Sequence, residues 1–163
     1  MPKRIKLELS VESIDRAIKE IEKRRAEIPK LVEKLIDKML VVGEDYAINT
    51  VGHVDTGETL SSIMGYREGN RGVIVAGGAA VWLEFGTGVT KNMQQEHPKA
   101  QELGMRPWGT YGKGQGGDPD GWWYPGDDGR YHHTYGIQAN MFMYRTAKYL
   151  QDMFETLGKE VFR

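Results

Sequence analysis

Glu84 is the one charge in the apolar run Trp82-Leu83-Glu84-Phe85. A carboxylate withdrawn from water can have a raised pKa and serve as a general acid. That chemistry needs a second group, and no nucleophile–base pair accompanies Glu84 in the sequence. The preferred reading is a structural carboxylate that accepts backbone amides or pairs with an arginine. Its expected partners are the turn that follows it or an amide of the segment 56–59. Four histidines could ligate a metal: His53, His97, His132 and His133. The adjacent pair points in two directions on a strand or loop, and no His-x-x-x-His spacing occurs, so no metal centre is expected. Asp118, Asp120, Asp127 and Asp128 lack the spacing of a calcium loop and read as solvated turn residues. Gly112-Lys113-Gly114-Gln115-Gly116-Gly117 matches G-x-G-x-x-G in letters only. The motif holds a pyrophosphate when a helix follows, and here Asp118-Pro119-Asp120-Gly121 follows, which is turn chemistry. No cofactor is expected, and no enzymatic activity.

The remaining chemistry is aromatic. Trp108, Trp122, Trp123 and Tyr124 stand among glycines. Flat rings stack on sugars, and they also anchor protein interfaces, where Trp and Tyr are enriched. A carbohydrate- or wall-binding module and an assembly protein both remain open on these residues.

Composition narrows the classes. The 163 residues suit one domain, 1–163, with room for an extended arm. The 22 Lys and Arg against 23 Asp and Glu give a net charge of -1, which weighs against broad wrapping of nucleic acid. Cysteine is absent, so disulfides and thiolate sites are excluded. No apolar run approaches the roughly 18–20 residues of a membrane span, and Met1–Lys6 has no signal-peptide core. A soluble protein of a cytoplasm is expected.

The elements that must position these residues divide the chain into four. Residues 1–50 form a helical arm. Ile14, Ala17, Ile18, Ile21, Ile28, Leu31, Leu35, Met39 and Val42 recur at three- and four-residue steps. Ser10 or Ser13 can cap it. Pro29 has no amide to donate, so it either kinks one long helix or sits in the first turn of a second; two helices, 11–27 and 29–49, are favoured. Residues 51–87 form a sheet core. A hairpin is predicted around Arg67-Glu68-Gly69-Asn70-Arg71-Gly72, with strand and turn within about 59–85. Ala79–Phe85 is a compact apolar run that periodicity leaves open between strand and helical turn. Residues 88–136 form an extended loop rich in glycine and aromatics; 12 of the 21 glycines fall in 86–136. It reads as an interface element that orders against neighbouring subunits, with Trp122–Tyr124 docking. Residues 137–163 carry a helix over 141–161, with Asn140 as its cap. The expected core is Ile63, Val73, Val75, Leu83, Phe85, Phe142, Leu150 and Leu157. The fold class is α+β: a helical arm, a small mainly antiparallel sheet, and a long C-terminal helix packed on the sheet.

Three segments in register resemble a family of tailed-bacteriophage head–tail joining proteins, also called neck, minor tail or tail-completion proteins. Val54-Asp55-Thr56-Gly57-Glu58-Thr59-Leu60-Ser61-Ser62-Ile63 is similar to the family's entry into its sheet. Ala79-Ala80-Val81-Trp82-Leu83-Glu84-Phe85-Gly86-Thr87-Gly88 is similar to its glutamate–glycine turn. Ile137-Gln138-Ala139-Asn140-Met141-Phe142-Met143-Tyr144-Arg145-Thr146-Ala147 is similar to the opening of its C-terminal helix. Two departures stand out: Val81, and Met141 where the family has proline. The turn residues Asp55, Thr56, Gly57, Glu84, Gly86 and Thr87 are expected to be structural.

The resemblance implies a virion protein without catalysis. It would form a homo-oligomeric ring at the head–tail junction, assembled in the bacterial host cytoplasm. Its neighbours would be connector or head-closure proteins and tail-tube or tail-terminator proteins. DNA would pass without specific binding, and no membrane is involved.

Overall fold

A computed structural model describes residues 8, 10–52, 57–86, 97–105 and 121–163. The elements are α1 (Val11–Thr50), α2 (Glu58–Ser62), β1 (Met64–Glu68), β2 (Arg71–Val75), α3 (Ala80–Phe85), β3 (Trp122–Pro125), β4 (Tyr131–Thr134) and α4 (Phe142–Val161). This is an α+β chain. Its strands pair as two separate antiparallel hairpins, β1–β2 and β3–β4.

Helix α1 begins where Ser10, in extended backbone, accepts from the amide of Ser13 at 3.2 Å. The break expected at Pro29 does not occur, and α1 is one helix of 40 residues. A proline inside a helix removes one hydrogen bond and crowds the carbonyl four residues back. Pro29 and Arg25 both lie exposed, so that carbonyl is open to water, and the half after Pro29 is held by tertiary packing.

That packing comes mainly from α4. Leu35, Leu157 and Val161 form one buried cluster, with Leu31, Met39, Val42 and Met153 against it. Tyr46 and Tyr149 stack at 4.2 Å between ring centres. Gly43 sits where the hairpin and both helices converge. A Cβ there would lie 2.5 Å from Ile74 Cδ1 and 2.8 Å from Leu150 Cδ1. Gly43 therefore sets how closely α1, β2 and α4 approach.

The β1–β2 hairpin closes through Gly69 and Asn70, with Gly69 at φ 59. It lies across the middle of α1. Glu44 Oε2 accepts from the Gly65 amide at 3.0 Å, and Arg67 pairs with Glu33 at 3.1 Å. The second buried cluster joins Ala47, Val51, Ile63, Ala80 and Phe142, with Leu60, Ile74, Ala76, Leu83 and Met143 around it. Of the expected core, Ile63, Phe142 and Leu157 are buried, while Val73, Val75, Leu83, Phe85 and Leu150 are half-buried. Two small hairpins cover less of the helices than one sheet would, so these side chains lie at the rim of the clusters.

The open assignment of Ala79–Phe85 resolves as helix from Ala80. The expected sheet span shrinks accordingly, since Glu58–Ser62 is also helical. Part of the expected extended loop is also ordered: residues 122–134 form a regular hairpin.

Candidate functional site

Two helix ends meet at Glu84. Helix α3 ends at Phe85, and its last carbonyls face the start of α4: the Asn140 amide donates to Leu83 O at 2.6 Å and the Met141 amide to Glu84 O at 3.3 Å. The first amides of an α-helix have no partner inside the helix and attract negative charge. The residue before α4, Met141, offers no side-chain cap and lies at φ 59. Glu84 supplies the cap instead. Its Oε2 accepts from the Met143 amide at 2.8 Å and its Oε1 from the Tyr144 amide at 2.9 Å.

His97 completes the arrangement. Its Nε2 lies 2.9 Å from Glu84 Oε1, and its Nδ1 accepts from the Lys99 amide at 3.0 Å. The second bond assigns the tautomer: with Nδ1 accepting, Nε2 carries the proton and donates to Glu84. The side chains of His97 and Glu84 are 4% and 9% exposed. The His97 ring also lies 4.4 Å from that of Phe85 and 5.4 Å from that of Tyr144.

A buried carboxylate–imidazole pair has the composition of an acid–base dyad. Here both ring nitrogens and both carboxylate oxygens hold protein donors and acceptors, so no proton-transfer position is left open. The pair is a latch that joins α3, α4 and the segment 97–105. Glu84 was expected to bond the turn after it or the segment 56–59; it bonds amides about sixty positions away instead. The cause is the bare N-terminus of α4, which needs an anion more than the turn does.

Neighbouring residues secure the same junction. Asn140, expected as the cap of α4, turns the other way. Its Nδ2 donates to Val51 O at 3.2 Å, and its Oδ1 accepts from Arg145 Nη2 at 2.6 Å. Arg145 Nη2 also donates to Thr50 O at 2.8 Å, so Asn140 and Arg145 close the C-terminus of α1. Gly86 is buried at φ 79 and ψ 168. A Cβ there would meet Ile137 O at 2.8 Å and Ala139 N at 3.0 Å. Met141 stands where the resembled pattern has proline, and a φ of 59 is one that proline cannot take.

Gly57 takes φ 68 immediately before α2, where the backbone turns into the helix. Asp55, Thr56, Thr87 and Trp108 lie outside the described residues.

Trp122, Trp123 and Tyr124 lie on β3, where the alternation of a strand puts Trp122 and Tyr124 on one face and Trp123 on the other. The register sets Trp123 against His133 and Tyr124 against His132. The Trp123 and His133 rings meet edge-on at 5.0 Å, and His133 meets Tyr135 at 4.8 Å. The turn is held by Asp128, whose Oδ1 accepts from the Arg130 amide at 3.0 Å and lies 2.9 Å from His132 Nε2. The His132 hydrogen bond, and then the Arg130 amide, hold the Asp128 carboxyl below its usual range.

The hairpin contributes nothing to either buried cluster. Trp123 is 66% exposed and Tyr131 71%. Tyr131, His132 and Asp128 were not singled out as members of this surface. A signal existed: aromatic runs on either side of Gly126-Asp127-Asp128-Gly129, a turn sequence between two strands.

Among the described residues no group of three or more His, Asp or Glu converges as a metal-ligand set. No described helix is long and apolar enough to cross a membrane. Comparison with protein-family models, curated proteins and solved structures finds no match.

Proposed function

We propose that the protein is a structural subunit of a tailed phage or prophage, forming a ring at the head–tail junction that joins or stabilises head and tail. The observation that carries this reading is the β3–β4 hairpin. It leaves Trp123, Tyr124 and Tyr131 exposed on a strand pair that has no member in either buried cluster of the described residues. Large aromatics grouped outside the core are costly in water and suit a protein neighbour.

The sequence pattern supports the same reading. The motifs around Glu84 and around Phe142, which resemble those of head–tail joining proteins, form one packed junction here. The bonds of Glu84 and His97 are spent on holding that junction. Ring neighbours would be further copies of the chain, with connector or head-closure proteins on one side and tail-tube or tail-terminator proteins on the other. The near-neutral charge suits a channel wall that DNA passes without being held.

Deletion of the gene from its phage is the test. The expected result is DNA-filled heads and separate tails that fail to join, restored by the wild-type gene but not by Trp123→Ala/Tyr131→Ala. Particles of normal infectivity without the gene would overturn the proposal. Glycan binding by the isolated monomer, lost in Trp123→Ala, would favour the carbohydrate-binding alternative.

A further inference from the structure

The β1–β2 hairpin turns only one of its faces to α1. Side chains alternate along a strand. Arg67 points to α1, where it pairs with Glu33 and Asp37, and Gly65 and Gly72 lie against Leu40 of the same helix. The opposite face therefore carries Met64, Tyr66 and Glu68 on β1, in register with Val75, Val73 and Arg71 on β2. Four of these six side chains are apolar, and they stay open to solvent. Met64 is 53% exposed and Tyr66 40%, with Val73 and Val75 half-buried beside them. At the base of the hairpin this face runs into an open groove of about 430 Å³ with Val75, Val81, Phe85 and Leu103 in its wall. Val81 and Leu103 are themselves exposed. At the other end Glu68 and Arg71 face each other across the turn. A grouped apolar surface of this kind marks an interaction site.

We infer that this face docks on the same face of a second copy of the chain, about a two-fold axis that runs along the hairpin, so that both turns point the same way. Apolar sheet faces pack about 10 Å apart with their strands within about 30° of each other. An axis along the strands lays β1 of one copy over β2 of the other. The register then sets Tyr66 over Val73 of the second copy, Met64 over its Val75 and Glu68 over its Arg71, each twice. Two observations select this arrangement. The first is charge: two hairpins bring four charges of alternating sign together at the turn end, and a Glu and an Arg side chain reaching toward each other span the gap. The second is shape. Met64, long and adaptable, arrives over Val75 of the second copy, at the mouth of the groove that Val81, Phe85 and Leu103 line. The other two-fold, across the strands, points the turns apart. With the apolar rows superposed it lays Glu68 over Met64 and Arg71 over Val75, which withdraws charges from water without a partner. The face offers fewer side chains than the roughly 20–30 per partner of a standard interface, so the dimer is weak and depends on concentration. A contact of like with like closes after two copies, so it adds to the head-to-tail contacts of a ring and does not replace them. The inference rests on the β1–β2 hairpin alone and holds whichever assembly the protein serves.

Exchange of the two charges tests it. Sedimentation equilibrium of the full-length chain should show monomer and dimer in balance. Glu68→Arg and Arg71→Glu should each weaken self-association on the order of tenfold, because each sets like charges across the axis twice. Mixed together, the two variants should associate again, since one then carries two positive charges at the turn and the other two negative. A mixture that associates no better than either variant alone would overturn the arrangement. Tyr66→Glu should abolish the dimer with the circular dichroism of the monomer unchanged. A dimer indifferent to Tyr66→Glu, or a wild-type chain that stays monomeric at millimolar concentration, would overturn docking of this face. The Trp123→Ala/Tyr131→Ala variant separates this contact from the one proposed on β3–β4: the dimer should persist there, and its loss would overturn the inference as well.

Discussion

Replacement of Glu84 by glutamine removes one charge and one acceptor while keeping the shape. Three donors converge on the carboxylate: Met143 N at 2.8 Å, Tyr144 N at 2.9 Å and His97 Nε2 at 2.9 Å. Glutamine keeps one oxygen. Placed at Oε1, it serves Tyr144 and His97, and its NH2 then faces the Met143 amide, donor against donor. Placed at Oε2, it abandons the other two. His97 cannot compensate by shifting its proton, because Nδ1 would then oppose the Lys99 amide. The best arrangement loses one charge-assisted bond, about 1.5–3 kcal/mol. Loss of the anion at the helix start adds about 0.3–1 kcal/mol. The sum is about 2–4 kcal/mol. For a chain of this size each kcal/mol moves the midpoint by roughly 2–4 °C, so the melting temperature should fall by roughly 5–15 °C. Glu84→Ala should cost more, since it leaves all three donors without the carboxylate. Thermal unfolding by circular dichroism reads the midpoint, and hydrogen exchange at Met143 and Tyr144 locates the change. A glutamine variant within about 0.5 kcal/mol of wild type would refute the latch.

Gly86→Ala should destabilise the fold by about 2–5 kcal/mol, from a backbone region reserved for glycine and a methyl group driven into Ile137 O; a midpoint in denaturant unchanged from wild type would contradict this. The hairpin turn should weaken in acid. The Asp128 carboxyl titrates below its ordinary 3.8 in the folded chain, so its contribution is complete above that value and is lost as the pH falls through the lower, folded one. The amide signals of Asp128 and Arg130 followed by NMR should report the loss, and signals that do not move while the Asp128 carboxyl is protonated would refute it.

Local signals in the chain carried the helices. The cap at Ser10 and the three-and-four spacing of the arm need only neighbouring residues to be read, and α1 and α4 lie where they predict. Pro29 misled because its cost is local, while what outweighs it is the contact of Leu35 and Val42 with α4, more than a hundred residues on. Glu84 was legible as an acceptor of amides, but not as the cap of α4. Its partners lie fifty-nine and sixty positions away, and His97 thirteen. Asn140 has the right chemistry for a cap and sits next to the helix, yet the open carbonyls of α1 compete for it and win. In β3–β4 the aromatics were read as docking residues of a loop and Asp127 and Asp128 as turn residues, but the two were not joined into a hairpin. Cross-strand pairs such as Trp123 with His133 become visible only once that hairpin is recognised.

An unbroken α1 is also a lever. Its inner half is wedged between the hairpin and α4, and its outer part runs on through Pro29 without a break in the helix. The outer 17 residues span about 26 Å at 1.5 Å per residue, so a tilt of about 10° in the core moves the tip by about 4–5 Å. Force applied at either end is transmitted along the rod, because a hydrogen-bonded helix bends little. A neighbour gripping the tip would therefore pull on the seat around Gly43, and a shift of the hairpin would be magnified outward. Position and orientation of one subunit would in this way be communicated to the next without any rearrangement inside either.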